Sequence, residues 1–206
     1  MCAARIMANP PVGVLIILMA AGRLQKSRAP NLAVSPYLSA VNQKLLYAEQ
    51  LLNYLNAHRT AGHNRYLSEA IAQSVTLQLY QAWSWHIKDV AYHYKLSDPS
   101  AIDNVDELVR ALGKQGKTPA EATEMHYLAS EDGSWVGKLL NAYHQLSQLP
   151  KVRKAEMDID RLPVIATDKS SNNTGTVFEW CIIDVANWKQ QLKELVDRQR
   201  EMMIEY

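Results

Sequence analysis

Apolar residues recur at three- and four-residue steps from Tyr37 onward, and this period constrains the fold more than any other feature of the chain. Leu38, Val41, Leu45, Ala48, Leu52 and Leu55 fall on one side of a helix. Ser35 before Pro36 suits an N-cap followed by proline at the first helical position, and Gly62 closes the segment. A longer helix is predicted over 64–96. Ile71, Val75, Leu79, Trp83, Val90 and Tyr94 form its main stripe, while Trp85 and Tyr92 lie on the far side. A helix apolar on more than one face is central in a bundle or offers its second face to another subunit. Asp98-Pro99 stops it.

Shorter helices follow. One covers about 104–115 with Val105, Leu108, Val109 and Leu112 inward, and Gly113 and Gly116 loosen its end. Thr118-Pro119-Ala120-Glu121 reads as a capping box that opens the next, which runs to about Ser130. Ser134 can cap a third, in which Trp135, Leu139, Ala142, Tyr143 and Leu146 share a face. The last starts after Asp184 and turns Val185, Trp188, Leu192, Leu195 and Val196 inward, followed by Met202 and Met203. Between these two lie the charged connection 150–160 and two β-prone runs, Leu162 to Thr167 and Val177 to Ile183. The fold expected is therefore all-α: an antiparallel bundle of five or six helices, with a short extended or hairpin excursion before the last helix.

The bundle domain is expected to occupy 37–206, and residues 1–36 read as an N-terminal extension. Val12 to Ala21 is apolar, follows Arg5 and is too short to span a bilayer as a helix. It resembles the apolar part of a signal peptide, with small residues Ala20, Ala21 and Gly22 after it. A start placed too early (Met7 and Met19 are internal candidates), a genuine signal peptide and a membrane-associating tail are the three readings. The compartment expected is the cytoplasm, or the exterior if the signal is genuine, and no membrane span is expected.

Composition narrows the function classes. An apolar share of 48% against 21% charged is an ordinary globular balance and argues against disorder. The net charge of +1 lacks the basic excess of a domain that holds a phosphate backbone, so no nucleic acid is expected as a partner. Lys151, Arg153 and Lys154 are offset by Glu156, Asp158 and Asp160 next to them. Cys2 and Cys181 make neither a zinc site nor a disulfide framework, and Cys181, within an apolar run, reads as a buried inert thiol.

The most suggestive chemistry lies in the long helix. His86, Asp89 and His93 stand at i, i+3 and i+7 on one side, where imidazoles and a carboxylate can hold a metal or exchange protons. A core histidine bonded to a neighbouring helix gives the same pattern. Asn42, between Val41 and Leu45, either locks the first helix to a neighbour or lines a small polar pocket with these residues. Trp85 and Tyr92 are the candidate interaction surface. His58, Arg59, His63 and Arg65 cluster at the first interhelical turn. The RNase signature of HEPN bundles needs four to six residues between its Arg and His, and only three separate Arg59 from His63. Serine-nucleophile motifs, phosphate loops and paired zinc cysteines are absent, so no catalytic residue, metal or cofactor is assigned. Two classes stay open: a non-catalytic interaction protein that binds a protein partner or itself, and a ligand- or metal-binding bundle built around the long helix.

Four stretches carry a resemblance. They are Val41-Asn42-Gln43-Lys44-Leu45, the run from Leu79-Tyr80 through His86, Asp89 and Tyr92 to Leu96, Ser134 to Tyr143, and Trp188 to Lys193 with the tail that follows. Over about residues 37–206 the chain resembles a bacterial domain-of-unknown-function family, number 6586 in that series. Members usually begin close to the Asn-Gln-Lys motif, so the first 30 or so residues depart from the pattern. The resemblance implies no activity.

Overall fold

The computed structural model describes residues 35–58, 65–149 and 178–204, all of which belong to the unit Val34–Tyr206. Six α-helices and one short 3-10 turn make up this part, with no strand among the described residues. They are α1 (Pro36–Ala57), α2 (Arg65–His93), the turn Pro99–Ala101, α3 (Val105–Lys114), α4 (Ala120–Ser130), α5 (Trp135–Leu146) and α6 (Ile182–Ile204). The all-α bundle expected from the periodicity is the fold observed.

α2 is the axis of the bundle. It packs against α1, α3, α5 and α6, as an apolar surface on more than one side demands. Tyr37 of α1 lies against Trp85 and Tyr92, so α1 and α2 run antiparallel. Tyr80 stacks on Tyr143 and Trp83 meets Trp135 edge-on, which makes α5 antiparallel to α2 as well. α6 instead runs parallel to α2: its first turns line one cleft with Arg65 and Glu69, and Gln199 near its end meets His86. Val41, Val75, Leu79, Leu108, Leu139 and Leu192 are among the fully buried side chains of one shared core. Each such residue gains about 1.5–3 kcal/mol on leaving water.

The helix ends explain several departures from the sequence reading. α2 ends before Asp98-Pro99, in a Schellman motif: Leu96 N–H donates to Ala91 O, and Lys95 N–H to Tyr92 O. Lys95 takes the left-handed conformation there (φ 58°), and Leu96 is buried behind it. Gly116 (φ 70°) ends α3 in the same way, with Lys117 N–H on Leu112 O. It is thus a specific stop, not a loose end. Asp98 instead caps the 3-10 turn, and the bonds it accepts from the Ser100 hydroxyl and from two backbone amides hold its carboxyl below the ordinary range.

The capping box at Thr118 does not form. Pro119 occupies the N-cap of α4, and Glu121 turns inward to accept a bond from the Tyr94 hydroxyl at 2.9 Å. Ser35 precedes α1 as expected, but its hydroxyl makes no cap. Ser134 does cap α5, accepting from Gly137 N–H at 2.8 Å and donating to Leu128 O. A Cβ on Gly137 would collide with the Glu131 carbonyl oxygen, which accounts for the glycine. α6 begins at Ile182, earlier than Asp184, so Ile182 and Ile183 are helical and not extended. Val109 is exposed, not inward, because it lies off the Val105/Leu108/Leu112 stripe. Cys181 is only half-buried. The predicted excursion from 150 to 177 lies outside the described residues, as do the extension 1–34, Arg59 and His63.

Candidate functional site

His86 is fully buried on α2 and faces α6. Its Nε2 lies 2.8 Å from Oε1 of Gln199, itself fully buried. The Gln199 amide nitrogen lies 2.9 Å from Glu124 Oε2 and 3.4 Å from the Glu121 carbonyl oxygen. Both are acceptors only, so the amide N–H groups point to them and Gln199 Oε1 must accept from His86. His86 Nε2 therefore carries a proton, and its buried Nδ1 has no hydrogen-bond partner. Burial drives its pKa down. The Gln199 hydrogen bond and the carboxylates of Asp89 and Glu124 oppose that shift, while Arg200 adds to it.

Asp89, one turn along and almost fully buried, lies 3.7 Å from Arg200 Nε. Arg200 Nη1 donates to Asn42 Oδ1 at 3.2 Å. Arg198 pairs with Glu124 on the outer side of the same network. Side chains from α1, α2, α4 and α6 thus join in one polar seam through the bundle.

Of the residues singled out in the sequence, His86 and Asp89 lie in this seam. Asn42 reaches it from an exposed position on α1, not from the inner half of the helix. His93 does not join: it is exposed at the end of α2, its ring against Tyr94. Gln199, Arg200, Glu121 and Glu124 were not foreseen. Gln199 had a legible signal, since it continues the Leu192/Val196/Met203 stripe of α6 as its polar member. No group of three or more described His, Cys, Asp or Glu residues is placed to hold a metal ion. His86, Asp89 and Gln199 are buried, and none of them lines either of the two clefts that open along α1 and α2.

Trp85 and Tyr92 lie elsewhere, on the outer side of α2. Tyr37 packs against both, at 6.0 Å from the Trp85 ring and 6.1 Å from the Tyr92 ring. From there an outer face runs along the hairpin of α1 and α2. On α2 it carries Ala70, Ser74, Leu77, Gln81 and Trp85, and on α1 Gln43, Tyr47, Gln50 and Tyr54. Tyr54 is 51% exposed, Tyr47 44% and Leu77 38%, with Leu46 beside them at 50%. Lys44 and Lys88 are the charges on this face. Both line a notch of about 380 Å³ with Trp85 and Gln81, and Asp103 stands at its rim. A larger cleft of about 1090 Å³ opens between the C-terminal half of α1 and the starts of α2 and α6.

Residues 37–206 match the model of DUF6586, a family of unknown function. The chain belongs to DUF6586. The match covers most of the chain and begins at the tyrosine that packs against Trp85 and Tyr92. Comparison with curated proteins and with solved structures finds no match for this DUF6586 chain. No helix among the described residues is long and apolar enough to cross a membrane.

Proposed function

We propose that this DUF6586 domain is a non-catalytic interaction module that binds a protein partner or a second copy through the outer face of the α1–α2 hairpin. The observation that carries this reading is the near absence of charge there. Over all of α2 the charged residues are Arg65, Glu69, Lys88 and Asp89, and over α1 they are Lys44 and Glu49. α6, by contrast, carries acidic and basic side chains through most of its turns. Interface cores are depleted in charge and enriched in Tyr and Trp, and this face shows that composition on exposed positions. A hairpin built on a 29-residue helix is about 43 Å long, enough for the roughly 800 Å² per partner of a standard interface.

The seam supports the same reading from the other side. Its polar side chains link α2 to α6 through His86–Gln199 and Asp89–Arg200, α6 to α4 through Gln199–Glu124 and α6 to α1 through Arg200–Asn42, as groups that fix the packing do. The test is site-specific photocrosslinking in cells that express the chain. A benzophenone side chain at Tyr47 or Leu77 should yield discrete adducts, and the same probe at Glu194 on α6 should not. No adduct from the hairpin, or the same adducts from all three positions, would refute the reading.

A further inference from the structure

Lys44 and Lys88 stand at one end of the uncharged face, beside Gln43 and Trp85, and line one notch. Lys88 is held by Ser100 O at 2.6 Å and lies 5.8 Å from the centre of the Trp85 ring, its side chain 14% exposed. Lys44 Nζ lies 5.7 Å from the centre of the Tyr47 ring. Holding Lys88 against the ring costs conformational entropy but presents its ammonium in a fixed place, while Lys44 leans toward Tyr47. Asp103, at 3.3 Å from Lys88, offsets one of the two ammoniums, so the notch keeps a net positive charge.

We infer that this notch anchors a carboxylate of the docked partner, which would be an acidic, otherwise apolar helical segment of another protein. The inference rests on the docking reading above and names its partner class. Charge complementarity decides it. The exposed face offers tyrosine, leucine, alanine and glutamine beside a notch of net positive charge, so its complement is an apolar surface with an Asp or Glu toward one end. A second copy that docks the same face supplies Lys44, Lys88 and Asp103 again and so sets one net positive notch against another. At about 380 Å³ the notch is at the lower end of the size range of pockets that enclose small groups, about 300–1,000 Å³.

The experiment uses the full chain as bait for a phage-displayed library of randomised helical peptides. Peptides that bind should be enriched in Asp or Glu next to Leu or aromatic residues. Lys44→Gln and Lys88→Gln should each weaken the best of them by about tenfold, and added salt should weaken it further. Lys44→Glu with Lys88→Glu should shift the selection to basic peptides, a change that mere unfolding cannot give. Binders blocked by Leu77→Glu but free of acidic residues, or indifferent to both lysines, would overturn this inference and leave the docking face intact. Failure to select any binder to the hairpin would overturn it together with the docking reading, whereas self-association through the hairpin would overturn it and leave that reading standing.

Discussion

Replacing Gln199 by Leu tests whether the polar seam holds the bundle together. The substitution nearly conserves volume, so cavity terms stay small. It removes the acceptor of the His86 N–H and the donor to Glu124. Glu124 keeps its pairing with Arg198, but the fully buried His86 is left with an unpaired donor as well as its unpartnered Nδ1. An unsatisfied buried donor costs about 1–3 kcal/mol, and the loss of the charge-assisted bond to Glu124 adds about 1 kcal/mol. The expected cost is therefore about 2–4 kcal/mol, or roughly 4–16 °C in Tm for a domain of this size. His86→Leu alone should cost somewhat less, because Gln199 then loses only one acceptor contact. The double variant should be more stable than the sum of the two by about 1–2 kcal/mol, since it leaves no orphan at that contact. Urea unfolding at pH 7.5, followed by far-UV circular dichroism, measures all three. A Gln199→Leu cost below about 0.5 kcal/mol, or additivity within that margin, would refute the bond assignment and the Nε2 proton drawn from it.

Three further outcomes follow from the same structure. His86 is buried neutral with a lowered pKa, so the unfolded chain takes up a proton near pH 6.5 that the folded chain refuses; stability should fall by up to about 1.4 kcal/mol per pH unit below that point, and a comparison of urea midpoints at pH 7.5 and 5.5 should show the His86 share vanish in His86→Leu. Lys95→Gly should raise stability by about 0.5–1 kcal/mol, read as a higher Tm, because it relieves the left-handed backbone at the end of α2; a lower Tm would contradict the Schellman assignment. Gly137→Ala should lower stability by about 1–3 kcal/mol despite the better helix propensity of alanine, because its Cβ meets the Glu131 carbonyl oxygen; a gain in Tm would show that the turn before α5 can yield.

The helices were legible because their stripes obey one period, and tertiary packing did not override it. α2 shows why the ends were harder. Its stop depends on a lysine in the left-handed region, where a sequence reading expects glycine or asparagine, so Asp98-Pro99 drew the boundary too late. The supposed capping box failed for a tertiary reason, because Glu121 is claimed by Tyr94 across the bundle and has no freedom to turn back on its own helix. His86 and Asp89 were found from their spacing, whereas their partners Gln199 and Arg200 sit 113 and 111 residues further along the chain, and no local pattern encodes such pairings. His93 shared the spacing but not the environment, since α2 ends there and no facing helix covers it.

The distribution of polarity over α2 ties the seam to the outer face. A surface helix ordinarily keeps its charges toward water and its apolar stripe toward the core. α2 places Asp89 and His86 inside and exposes Ala70, Ser74 and Leu77, with Trp85 half-buried beside them and few charges among them. His86 and Asp89 meet Gln199 and Arg200 of α6, and Gln199 reaches on to Glu124 of α4, so they fix how these helices meet α2 and hold the hairpin in one orientation. A rigid face loses little conformational freedom on docking, which leaves more of the burial energy for affinity. On this account a variant that loosens the seam, such as Gln199→Leu, weakens a partner bound to the hairpin even where the fold survives, although Gln199 touches no part of that face. Binding that is unchanged in a folded Gln199→Leu protein would separate the two features and leave the seam with a role in stability alone.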